Sequence, residues 1–203
     1  MKLRVLFLMV LIVSCWTVVS QERIADSDFP IIKGNYLGQE PPGICPELFA
    51  PDIYSKVHPE WVFCTEFSPD GNELFFAECE VAQDIDRIMF MKRVDDVWTK
   101  PVVTSFSGEF NDNDMRLAPD GNTIFWRSWR PLPGNNTPED RSIIWFASRI
   151  ENNWSEAQPV KCGSTYLIAG YPSITNDGTL YFSTRIEGNI GESDIHYSQF
   201  IDG

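Results

Sequence analysis

Phe67-Ser68-Pro69-Asp70-Gly71-Asn72-Glu73-Leu74-Phe75-Phe76 decides the fold class, because it recurs. A second copy reads Leu117-Ala118-Pro119-Asp120-Gly121-Asn122-Thr123-Ile124-Phe125-Trp126, and a third reads Ile174-Thr175-Asn176-Asp177-Gly178-Thr179-Leu180-Tyr181-Phe182. The Asp-Gly pairs lie 50 and then 57 residues apart. Each copy follows one physical logic: an apolar strand end, a turn whose glycine accepts positive φ, then a strand of aromatic and branched residues. Asp70-Gly71, Asp120-Gly121 and Asp177-Gly178 are therefore read as structural turns.

Downstream of each hairpin comes a third strand, at Arg87–Met91, Ser142–Phe146 and Asp194–Tyr197. In the first two copies a tryptophan and a short fourth strand complete the unit, at Trp98–Val103 and Trp154–Val160. Units of four short strands at a period near 50 predict an all-β fold made of β-propeller blades. A β-sandwich also has many short strands, but it lacks this period. The Phe-Ser-Pro-Asp-Gly hairpin followed by Leu-Phe-Phe resembles the TolB-type, WD-repeat-like β-propeller repeat of exported bacterial proteins. The resemblance covers about residues 60 to 203, with blades near 60–106, 107–162 and 163–203. It also implies that residues 21–59 form a lead-in supplying a ring-closing strand. Complete propellers have about four to eight blades. The expected antiparallel propeller is thus incomplete, with two full blades and a partial third whose open edges invite self-association.

The N-terminus carries a different signal. Lys2 and Arg4 precede an apolar run from Val5 to Val13 that continues to Val19, the pattern of a secretory signal, and no second such run follows. The run is shorter than the roughly 20 apolar residues of a membrane span, so no transmembrane segment is expected. Two endings are open: cleavage after Ser20, or a lipobox Ile12-Val13-Ser14-Cys15 that removes residues 1–14 and acylates Cys15. Either places the protein in the periplasm or at the cell surface, secreted or lipid-anchored. Without residues 1–20 the chain has 14 basic against 29 acidic residues, which argues against nucleic acid as a partner.

Chemistry-bearing motifs are sparse. Only two histidines occur: His58 precedes a proline, and His196 lies in a strand near the place of Phe90 and Phe146 in the earlier copies. No Gly-x-Ser-x-Gly elbow and no zinc spacing is present. Cys64 and Cys79 flank the first hairpin, where a disulfide and buried thiols are both open readings; Cys45 and Cys162 have no placed partner. The run Glu109-Phe110-Asn111-Asp112-Asn113-Asp114 offers oxygens for calcium, chiefly Asp112 and Asp114, without EF-hand spacing; no other cofactor is expected. Glu66, Arg116 and Ser173 hold equivalent places before the three turns, on the strand nearest a propeller axis, which makes them channel candidates. Trp126 and Trp129, flanking Arg127 beside the Pro-Gly-Asn loop, are candidates for stacking on a sugar ring or a peptide.

These readings converge on an exported, non-catalytic binding module whose partner is a protein, peptide or glycan. A glycan-acting propeller hydrolase or lyase is the alternative, and a truncated, inactive copy a second one.

Overall fold

The computed structural model describes residues 29–51, 53–54, 62–80 and 84–199. Residues 1–20, read above as a secretory signal, with Cys15 among them, and His58 lie outside these residues. The described chain is all-β. A first sheet runs β1 (Val62–Phe67), β2 (Glu73–Glu80) and β3 (Ile85–Val94) as an antiparallel meander. Two short pieces, β4 (Val97–Trp98) and β5 (Val102–Val103), both pair with β3. The fourth strand is thus broken, at the point where Pro101 has no N–H to give a ladder.

The second sheet repeats the plan with β6 (Asp112–Leu117), β7 (Thr123–Ser128), β8 (Ile143–Ile150), β9 (Asn153–Trp154) and β10 (Gln158–Pro159). A small ribbon of β11 (Lys161–Cys162) and β12 (Thr165–Tyr166) leads to a third sheet. That sheet has three strands, β13 (Gly170–Ile174), β14 (Thr179–Thr184) and β15 (Asp194–Gln199). Among the described residues no helix is long and apolar enough to cross a membrane.

The turns explain the repeat. Gly71, Gly121 and Gly178 adopt φ of 69°, 73° and 81°, and their N–H groups donate to the carbonyls of Ser68, Ala118 and Thr175. Asp70 locks the first turn by accepting from the Ser68 hydroxyl at 2.6 Å and the Asn72 N–H at 3.0 Å. Asp120 accepts likewise from Asn122 N–H, and Asp177 from Thr179 N–H. The bond from the Ser68 hydroxyl, followed by those from Asn72, lowers the Asp70 pKa from 3.8 to about 2. A depressed carboxylate pKa stabilises the fold above the unfolded value and loses that contribution as pH falls toward 2. Asp70→Ala should therefore cost about 1 kcal/mol or less at pH 7, the turn being open to water. Denaturant midpoints of the two proteins should converge between pH 4 and pH 2; a constant gap would show that the carboxylate is not responsible.

Strand alternation sends successive aromatic residues to opposite faces. Phe76 and Leu74 face one side of the first sheet, where Leu37, Ala50 and Ile53 of the lead-in cover them. Phe75 and Ile88 face the other side and pack on Met115, Ile124 and Trp126 of the second sheet. Phe125 and Ile144 in turn meet Leu180 and Phe182 of the third. The sheets are thus stacked in series, and β6 lies beside both β1 and β13. Tyr181 and Tyr197 form the third member of a recurring cross-strand aromatic pair, after Phe75–Phe90 and Phe125–Phe146. Here the pair is exposed, together with Ile195, on the uncovered face of the third sheet.

The described part of the lead-in contributes side chains to the first sheet rather than a strand. Its described residues supply no strand; Lys33 makes a single bridge to Val97, and Gly34 accepts from the Trp98 indole at 2.8 Å. Its apolar side chains cap an open sheet face instead, because that face offers more area to bury than a strand edge.

Candidate functional site

The first strand of every sheet is bulged at one repeated position. Cys64, Asp114 and Tyr171 each stand six residues before the turn aspartate, at φ of 55°, 51° and 52°. The register of β1, β6 and β13 shifts at these same places. Left-handed backbone costs a residue with a Cβ roughly 1–2 kcal/mol, so three such residues mark a built feature. Two of the bulged residues make contacts between sheets, Cys64 with Asp114 and Tyr171 with Arg127. Cys64 Sγ donates to Asp114 Oδ1 at 3.7 Å, and Asp114 Oδ2 lies 3.1 Å from Arg127 Nε.

Arg127 is the centre of this row. Its Nε–H donates to Asn113 Oδ1 at 2.8 Å, and its guanidinium carbon lies 4.8 Å from the ring centre of Trp129 and 5.2 Å from that of Tyr171. A Cβ added to Gly170 would come within 3.0 Å of Arg127 Cδ, so glycine at 170 lets the arginine pass. Neither Nη makes a hydrogen bond among the described residues. Burial pushes the Asp114 carboxyl up, with Arg127 opposing, and burial likewise pushes the Cys64 thiol up.

Beside Arg127 opens a cleft of about 790 Å³ between the second and third sheets. The loops after β7 and β14 converge on it with Trp129, Arg141 and Arg185, while β13 contributes Gly170 and Tyr171. Its serines are already engaged: Ser183 bonds Ser193 at 2.7 Å, and Ser142 donates to the Ala169 carbonyl. Among the described residues no histidine lines it, and His196 bonds Asn189 instead. The volume falls within the roughly 300–1,000 Å³ of small-molecule sites.

The residues singled out from sequence fare unequally. Glu66, Arg116 and Ser173 do hold equivalent places, opposite Phe75, Phe125 and Tyr181 in the ladders. Glu66 and Arg116 meet as a half-exposed ion pair at 3.4 Å, and Ser173 is exposed. Burial raises the Glu66 pKa and Arg116 opposes it.

Two expectations are corrected. Trp126 is fully buried between the first two sheets and cannot stack on a ligand; only Trp129 reaches the cleft. Alignment of the repeats carries that signal, since Trp126 matches the buried Phe76 and Phe182. Asp112 and Asp114 are not calcium ligands, because guanidinium groups of Arg130 and Arg127 already stand against them. Among the described residues no cluster suited to a metal ion occurs. Of the two readings open for Cys64, the structure has the free thiol: the bulge takes Cys64 out of register, and Cys79 stands opposite Asp86 on β3.

Tyr171, Arg141 and Arg185 escaped sequence reading. For Arg141 and Arg185 the available signal was the shared position of the two loops, each joining the second and third strands of a unit and so emerging at the same end. No protein-family model matches this chain, and no curated protein matches it, so its function must be read from these residues and their geometry.

Proposed function

We propose that this chain is an exported, non-catalytic binding module with blades arranged as in a propeller, and that its ligand seats in the cleft beside Arg127. The observation that carries the reading is the cleft itself: an open cavity of about 790 Å³ with an aromatic-flanked arginine whose Nη donors are uncommitted. Support for the propeller arrangement comes from the serial stacking of meander sheets with their first strands side by side. Support for export comes from the charged and apolar leader pattern of residues 1–20. A binding role fits better than a catalytic one, since the cleft serines bond to one another or to backbone rather than to a base.

The test is a screen of the full chain on glycan and peptide arrays, repeated with Tyr171→Ala. Tyr171 is 64% exposed, so its loss should leave the melting temperature within a degree or two. Binding of any array ligand should fall at least tenfold, as for an aromatic anchor. Undiminished binding by Tyr171→Ala would move the site elsewhere.

A further inference from the structure

The arginines among the described residues divide into two groups. Arg87, Arg93, Arg116, Arg127, Arg130 and Arg149 each face a carboxylate, at Glu78, Asp96, Glu66, Asp114, Asp112 and Glu73. Arg141 and Arg185 make no ion pair and no hydrogen bond among the described residues, and both line the cleft beside Arg127. Beside the paired Arg127, these two guanidinium groups present free donors to the cleft that a ligand's carboxylate could take up.

The rest of the lining narrows the anion. Asp140 and Glu187 also face the cleft, with no cation within ion-pair distance among the described residues. A bare phosphate or sulfate would be repelled by these carboxylates. A molecule carrying one carboxylate and several hydroxyls satisfies both sets, its carboxylate taking bidentate bonds from arginine and its hydroxyls donating to Asp140 and Glu187. The exposed ring of Tyr171 offers a flat apolar surface to the C–H face of a sugar. We infer that the cleft binds a sugar acid, with Arg141 and Arg185 holding its carboxylate, Asp140 and Glu187 its hydroxyls, and Tyr171 its ring.

This rests on the cleft being the binding site. It is tested by ligand-observed NMR titration of the full chain with glucuronate, glucose and acetate. Glucuronate should bind at least tenfold more tightly than glucose, which lacks the carboxylate, and than acetate, which lacks the hydroxyls. The double variant R141Q/R185Q should lose tenfold or more in glucuronate affinity with an unchanged melting temperature, and added salt should weaken the wild-type complex. Equal binding of glucose and glucuronate, or glucuronate affinity unaffected in R141Q/R185Q, would overturn the assignment. Failure of glucuronate alone, with an array ligand still lost in Tyr171→Ala, would reject the ligand class and keep the site. Array binding insensitive to Tyr171→Ala would reject the site itself.

Discussion

Asp112→Asn should destabilise the fold by about 3–5 kcal/mol, the cost of leaving a buried charge without its partner. Asp112 has no solvent exposure. Arg130 Nη2 lies 2.9 and 2.8 Å from its two oxygens, the Trp126 indole donates at 3.1 Å, and the Ser107 hydroxyl at 2.7 Å. Burial pushes the Asp112 carboxyl up, and Arg130 with the hydroxyl donors opposes that shift. The guanidinium in turn lies near the rings of Trp126, Trp145 and Phe110 at 5.3, 5.1 and 5.7 Å. Asparagine keeps the shape and removes the charge, so Arg130 would remain enclosed and uncompensated. A domain of this size has about 5–15 kcal/mol of stability in total, so urea unfolding would register the change as a large fall in midpoint. The double variant Asp112→Leu with Arg130→Met should recover much of the loss, because apolar replacement of both partners removes the stranded charge. A single-variant effect below 1 kcal/mol would mean that Arg130 swings out to water.

Trp126→Ala should cost a comparable 3–5 kcal/mol, roughly the range for truncating a large core aromatic. The ring is fully buried, stacks on Phe106 with centroids 4.7 Å apart, and fills the space between the first and second sheets. Its loss opens a cavity and withdraws one donor from Asp112. The two variants share that hydrogen bond, so their effects should combine to less than their sum. Calorimetric melting of the single and double variants checks both the size and the coupling; strict additivity would show that the Trp126–Asp112 contact contributes nothing.

How far the residues alone lead differs between fold and site. The turns were legible because Pro69-Asp70-Gly71 and Pro119-Asp120-Gly121 are local chemistry, and the glycines sit at the positive φ that the spacing required. The order of strands was legible because alternation and a period near 50 recur, and the ladders pair Glu66, Arg116 and Ser173 opposite equivalent aromatics. The cation next to Asp112 was not legible. Arg130 stands 18 residues away, and only the crossing of β7 beside β6 brings its guanidinium to the carboxylate that calcium seemed suited to fill. Burial of Trp126 also escaped, because Trp129 three residues on shares its flanking arginines yet lies past the end of the strand.

Short-range forces act between residues that are neighbours in the chain, and they suffice for turns, strand alternation and the all-β meander. The bulges at Cys64, Asp114 and Tyr171 belong to another order, since no rule of local propensity places cysteine or tyrosine in left-handed backbone. They lie where β6 packs beside β1 and β13, and there Arg127 stands against the rings of Trp129 and Tyr171. The cleft is likewise a product of tertiary structure. Arg141 and Arg185 come from loops more than 40 residues apart, and they share a cavity only because the hydrophobic faces around Phe125 and Leu180 draw the second and third sheets together.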